Sequence, residues 1–154
     1  MPLAGGTPLA EYPGAADALA FASEELWISR EGAVAPAGSL AAGAKAPVRA
    51  LVGAAGARRV LAMGADGEIR CLSAGAAAGR WRPVIDDVRA ISLSDDGDWA
   101  TLAGPNAVAV VRATDGAVGV YLTGASSIAM AADRRVVVGG AWGMALIVPV
   151  EETA

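Results

Sequence analysis

The stretch Val88-Arg-Ala-Ile-Ser-Leu-Ser-Asp-Asp-Gly97 alternates apolar and small side chains and then ends in a turn rich in aspartate and glycine. Apolar runs follow at Trp99–Ala103 and Val108–Arg112, and a fourth run contains Tyr121. Short apolar runs separated by such turn residues are typical of strands joined by tight hairpins. This part of the chain therefore predicts one antiparallel sheet of four strands.

The same order occurs three more times. Val48-Arg-Ala-Leu-Val-Gly-Ala-Ala-Gly56 opens a second clear copy, and weaker copies begin at Ala18 and Ser127. In the first strands, one apolar position recurs roughly every 32 to 40 residues, close to the ~40–45 of a propeller blade. Its occupants, which we expect to line the axis of a ring, are Leu19, Leu51, Ile91 and Ile128.

These repeats resemble WD40-like β-propeller repeats over nearly the whole chain. The family's Trp-Asp pair is absent, and its Gly-His pair is excluded because the chain has no histidine. The resemblance implies the fold and a role as a platform for protein interactions. It carries no catalytic residue to this sequence.

The predicted fold class is all-β, a β-propeller of four blades with four antiparallel strands each. Alanine favours helices, but glycine and Asp-Gly turns recur too often for helices of useful length. We predict one domain over residues 1–154. Its blades cover residues 16–47, 48–87, 88–124 and 125–150, and residues 7–14 complete the last blade.

The N-terminal segment is assigned to the last blade by its spacing. Tyr12 precedes Leu19 by as many residues as Tyr121 precedes Ile128, and Tyr121 belongs to an outer strand. An outer strand at residues 7–14 would close a ring and leave no long strand edge open. One chain could close alone with four blades, or two chains could join head to tail as an eight-bladed homodimer.

Composition excludes several function classes. Twelve basic residues, scattered along a chain of net charge −4, form no stripe of the kind that binds nucleic acid. The apolar stretches are too short for a membrane helix, and the single cysteine fits a reducing compartment. We expect a cytoplasmic bacterial protein with no cofactor and no membrane association.

Catalysis is not expected. Without histidine and with Lys45 as the sole lysine, Cys71 lacks the usual base. Asp86 and Asp87 are adjacent, so on a strand they would point to opposite faces. The acidic loop Ser92–Asp98 could suggest a calcium site, but it lacks EF-hand spacing and reads more simply as a turn.

Three residues are candidate partner contacts. Arg49 and Arg89 occupy one position in two repeats, where they could bind an anion or a partner at the channel mouth, or simply be solvated. Trp142 falls in a turn, where an exposed aromatic can be a contact hot spot.

The expected function is that of a non-catalytic interaction scaffold or adaptor subunit of a bacterial multi-protein system. Free-standing divergent propellers of this kind resemble the propeller components of multi-gene systems that also contain an ATPase and a von Willebrand-type domain. The partners would be other proteins, such as a second copy or another half-propeller. The alternative is a small-ligand or glycan binder that uses the central channel or exposed tryptophans.

Overall fold

The computed structural model describes residues 16, 18–30, 33–36, 47–73 and 76–147. All regular secondary structure in these ranges is β-strand, so the helical alternative is wrong. The strands form four antiparallel sheets, each made of strands that are consecutive in sequence and adjacent in space.

The first sheet contains β1 (Ala18–Ala22), β2 (Glu25–Arg30) and β3 (Ala33–Pro36). The second contains β4 (Val48–Gly53), β5 (Arg59–Gly64), β6 (Ile69–Ser73) and β7 (Ala76–Trp81). The third contains β8 (Ala90–Leu93), β9 (Trp99–Ala103), β10 (Ala107–Arg112) and β11 (Val118–Thr123). The fourth contains β12 (Ser127–Met130), β13 (Val136–Gly140) and β14 (Gly143–Ile147).

The middle two sheets have the four strands that the repeat predicts, and the first and fourth have three each among the described residues. The predicted closing strand at residues 7–14 lies outside the described residues. Asp17, at the position equivalent to Arg49 and Arg89, lies outside them as well.

The turns between strands follow from local sequence. Gly97 takes a φ of +78° in the hairpin between β8 and β9, a conformation that glycine adopts without strain. The Asp96 carboxylate accepts the backbone N–H of Asp98 at 3.0 Å and the Ser94 hydroxyl at 2.6 Å. The acidic loop is thus built around a turn in which aspartate replaces a backbone acceptor.

Three hydrophobic clusters hold the sheets together, one at each boundary between consecutive sheets, which we call a seam. Trp27 and Val60 belong to the seam between the first and second sheets. Leu61, Trp81 and Leu102 belong to the second seam, and the third contains Trp99, Val108 and Val138. Among the described residues, no such cluster joins the fourth sheet to the first, so the sheets form an open arc.

Each sheet has an earlier face, toward the preceding sheet in the chain, and a later face, toward the following one. Leu51, Ile91 and Ile128 pack on their earlier faces against the preceding sheet. The expectation that this apolar position lines a central axis is therefore wrong. The alternation of side chains across each strand turns these residues into the seams.

Backbone contact at the first seam explains one glycine. A Cβ at Gly53 would overlap the carbonyl oxygen of Phe21, so the backbones of β1 and β4 touch there. The equivalent position holds Leu93 in the third sheet and Met130 in the fourth. Close approach of two backbones leaves no room for a side chain.

Candidate interaction surfaces

The first turn of each sheet, which joins its first two strands, contacts the first turn of the next sheet. The Ser23 N–H donates to the Ala54 carbonyl, and the Gly56 N–H donates to the Asp95 carbonyl, both at 2.7 Å. These backbone bonds cross the first and second seams. They align the first turns of the first three sheets along one side of the arc.

Charged side chains reinforce the same contacts with ion pairs between carboxylates and arginines at every seam, and at the third seam Arg134 also lies 3.5 Å from Asp98. The pairs are Glu25 with Arg58 at 3.1 Å, Arg59 with Asp98 at 3.4 Å, and Asp96 with Arg134 at 2.6 Å. This row of ion pairs was not predicted from the sequence. Its signal was an acid or an arginine in every first turn of the repeat.

Asp96 is the best-anchored member of this row. Burial raises the pKa of its carboxyl, but the bonds from Ser94, from the Asp98 N–H and from Arg134 outweigh that effect and lower the pKa to about 2. The acidic loop, which was weighed above as a calcium site, therefore directs a carboxylate at an arginine of the next sheet. Among the described residues, no group of three or more histidine, cysteine or acidic side chains is placed to hold a metal ion.

The earlier face of the first sheet has no sheet packed against it in the described residues. Leu19 is 61% exposed and Phe21 is 66% exposed. The corresponding Leu51, Ile91 and Ile128 are buried or half-buried in seams. Leu19 and Phe21 thus show solvent positions that the other three sheets cover, whereas Ile28, which pairs with Leu19 on the same face, is buried.

Among the described side chains, those on the later face of the fourth sheet are exposed in the same way. Val136 and Val138 point into the third seam and are buried, whereas Val137, between them, is 40% exposed. Met144 pairs with Gly139 in the register of β13 and β14, which places it on the face of Val137, and it is 82% exposed. The arc therefore ends in an apolar face at both ends.

Arg49 and Arg89 lie at neighbouring positions of the second and third sheets, as their repeat positions suggest. The Arg49 guanidinium donates to the Val88 carbonyl at 3.4 Å, one residue before Arg89. Arg89 bonds to Asp87 at 3.1 Å. Arg49 also lines a cleft of about 190 Å³ together with Asp66, Arg82 and Asp86.

A second cleft, of about 220 Å³, lies by the row of first turns, and Arg59 and Arg112 line it. Both arginines bind within the chain: Arg59 donates to Ser73 and to the Gly97 carbonyl, and Arg112 pairs with Asp115 at 3.3 Å. Both clefts thus place carboxylates beside arginines that already bond within the chain, which disfavours a dedicated anion site.

The tryptophans divide into buried and exposed. Trp27, Trp81 and Trp99 are buried in seams, so their rings offer no stacking surface for a sugar. Trp142, in the turn between β13 and β14, is 55% exposed, and its indole N–H donates to the Gly124 carbonyl at 2.8 Å. Its ring is thus available for contact while its polar atom is already used.

Cys71 lies in β6 and is fully buried in the second seam. Burial raises the pKa of its thiol, and the charge of Arg59 only partly offsets this effect. A thiol that stays protonated and inaccessible is a poor nucleophile. Separately, the described residues contain no helix long and apolar enough to cross a membrane.

No protein-family model and no curated protein sequence matches the chain. Solved structures do. BamB from Moraxella catarrhalis superimposes with a TM-score of 0.57 at 12% identity, over 80% of this chain and 43% of its own. Hsv2 from Kluyveromyces lactis superimposes with a TM-score of 0.60 at 15% identity, over 79% of this chain and 52% of its own. Hydrazine synthase from Kuenenia stuttgartiensis superimposes with a TM-score of 0.56 at 14% identity, over 88% of this chain and 44% of its own.

These structures are β-propeller-type proteins, and one of them is an enzyme, so the likeness concerns fold and not activity. The chain spans about half the length of the proteins it superimposes on. Four consecutive antiparallel sheets, packed face to face along the chain, and these neighbours together show a propeller-like fold.

Proposed function

We propose that this chain is a non-catalytic interaction module, a scaffold or adaptor that binds other proteins through the ends of its arc. One observation carries the proposal: Leu19 and Phe21 are more than half exposed at positions that the other sheets bury in seams. Exposed apolar side chains that lie together on one face are typical of protein-binding surfaces.

The chemistry of the described residues supports a binding role over a catalytic one. Cys71 is buried with a raised pKa, and the ion pairs of the first turns hold sheets together. The arginines that line both clefts already bond within the chain. The surface features left over are apolar faces, which suit a protein partner.

The experiment compares what the chain binds with and without its end face. Tagged wild-type protein, Phe21→Glu and Val118→Glu are used to capture partners from extracts of the native host, and bound proteins are quantified by mass spectrometry. Val118 is a matched control because it is 51% exposed on β11, in an inner sheet.

We expect at least one specific partner, this chain itself included, to be lost with Phe21→Glu and retained with Val118→Glu. The physical reason is that a charge placed on an apolar contact must be desolvated without a partner. The same set of partners for all three proteins would contradict the proposal.

A further inference from the structure

The geometry points to a second copy of this chain as the partner of the end faces, an inference that rests on the proposed function. The earlier face of the first sheet in one copy packs on the later face of the fourth sheet in the other. Applied twice, this head-to-tail contact gives a ring of eight sheets.

The repeat supplies the first argument. Every seam within the chain joins the later face of one sheet to the earlier face of the next. Among the described residues, no sheet packs on the earlier face of the first sheet or on the later face of the fourth. One chain thus carries both halves of a further seam at opposite ends, which two copies can satisfy for each other.

The chemistry of the two faces supplies the second argument. Leu19 and Phe21 on the first sheet, and Val137 and Met144 on the fourth, are apolar side chains that are between 40% and 82% exposed. The three internal seams consist of the same aliphatic and aromatic residue types. Each end face therefore has the composition of a seam.

The charges of the first turns supply the third argument. The carboxylate lies on the preceding sheet at the first and third seams, and the arginine lies there at the second. If the same alternation of acid and arginine continues, a seam between the fourth sheet of one copy and the first sheet of the other needs an arginine on the fourth sheet and a carboxylate on the first. Arg135 and Glu24, both exposed, occupy those turns. Arg135 pairs with Asp133 of its own turn, at the surface, where exchanging one carboxylate for another costs little.

Size supplies the fourth argument. The chain superimposes on 43% to 52% of the length of the propeller-type proteins described above, and two copies of its four sheets make eight. Eight sheets also fall within the range of four to eight blades typical of propellers.

Light scattering coupled to gel filtration tests this inference on the full chain over a dilution series. We expect wild-type protein to have twice the 15.2 kDa mass of one chain. Phe21→Glu, on the first sheet, and Met144→Glu, on the fourth, should each give single-chain mass. Dissociation constants should rise at least about 100-fold because each variant places a charge in both seams of the ring.

Val118→Glu should keep the double mass, since it adds the same charge outside the proposed seam. Circular dichroism checks that all variants are folded, and Leu19→Lys replaces Phe21→Glu if that variant does not fold. A wild-type protein that has single-chain mass at every concentration would overturn the inference. Ring closure within one chain, or binding of a different protein, would give that result. A double mass that survives either end variant would also overturn it.

The result separates this inference from the function it rests on. A single-chain mass, combined with loss of a different partner in the capture experiment, leaves the interaction module intact and removes the second copy. A single-chain mass with no change in captured partners would contradict both the second copy as partner and the proposed interaction module.

Discussion

The two middle sheets and the two end sheets are built from the same repeat but bury it differently. In the middle, β9 is buried at all five residues and β5 at five of six. At the ends, β1 exposes the large apolar side chains of Leu19 and Phe21, and β13 exposes Val137 between two buried valines. A sheet in this fold buries its apolar side chains by packing a neighbouring sheet on each face. An end sheet without such a neighbour therefore exposes apolar side chains, as an uncovered interface does.

The comparison is tested most strongly by removing the same side chain from both regions. Leu102 is fully buried in the second seam, whereas Leu19 is 61% exposed. Leu102→Ala should lower the free energy of unfolding by about 2–5 kcal/mol, from lost burial plus the cavity left behind.

Leu19→Ala should cost less, and its cost should shrink on dilution because burial at that face requires a partner. Urea unfolding at several protein concentrations measures both variants. Equal, concentration-independent losses would mean that the first sheet is as enclosed as the third.

Backbone contact at the first seam can be tested by adding one methyl group. In Gly53→Ala the new Cβ would collide with the carbonyl oxygen of Phe21, and backbone atoms cannot rotate aside. We expect a loss of about 1–3 kcal/mol or more in thermal or urea unfolding. Gly67→Ala is the control, since a Cβ there meets no atom within 4 Å and strains only the backbone at φ +84°. A Gly53→Ala protein as stable as wild type would refute the close packing of β1 on β4.

Two tryptophans make the same hydrogen bond in the two regions. The indole N–H of buried Trp81 donates to the Ala113 carbonyl, and that of exposed Trp142 donates to the Gly124 carbonyl, both at 2.8 Å. Trp81→Phe should cost about 1–3 kcal/mol because a buried carbonyl loses its donor.

Trp142→Phe should cost about 0.5 kcal/mol or less, because water can replace the donor at an exposed carbonyl. Denaturation midpoints distinguish the two variants. A larger loss for Trp142→Phe would invert the comparison between the middle and the end.

A small effect is also expected at the ion pair that crosses the third seam. Asp96→Asn weakens a largely exposed pair with Arg134, worth about 0.2–1 kcal/mol at neutral pH. The folded-state pKa of about 2 lies below the ordinary 3.8. The stability that Asp96 provides is therefore complete above about pH 4 and is lost as the pH falls toward 2.

Acid unfolding followed by circular dichroism should be less steep in this window for Asp96→Asn. Asp95→Asn removes a neighbouring charge that has no bond to Arg134, and it should retain the wild-type profile. Identical profiles for the Asp96→Asn variant and the wild-type protein would show that this pair does not affect stability.

The repeat predicted strands well because local sequence and the fold agree within each sheet. Ser127–Met130 and Trp99–Ala103 are strands over the predicted residues, since apolar alternation and Asp-Gly turns act over a few residues. The direction of Leu51 and Ile91 was predicted wrongly, because alternation shows which residues share a face but not what that face meets.

The candidate surfaces were harder to predict for the same reason. Phe21 aligns with Gly53 and Leu93, and the sequence alone gives no sign that it is the exposed member of that set. Its exposure depends on its sheet being the first in the arc. The pair between Asp96 and Arg134 likewise joins residues 38 apart in sequence. It can be predicted only when the contact between the first turns of neighbouring sheets is known.

The central claim is that each end of the arc carries half of a seam, and hydroxyl-radical footprinting of Met63 and Met144 tests it most directly. Met63 is 4% exposed in the second sheet and Met144 is 82% exposed in the fourth. The account predicts that Met63 oxidises slowly at every protein concentration. Met144 should oxidise fast in dilute solution and become protected as the concentration rises. A Met144 that stays equally reactive from dilute to concentrated protein would contradict it.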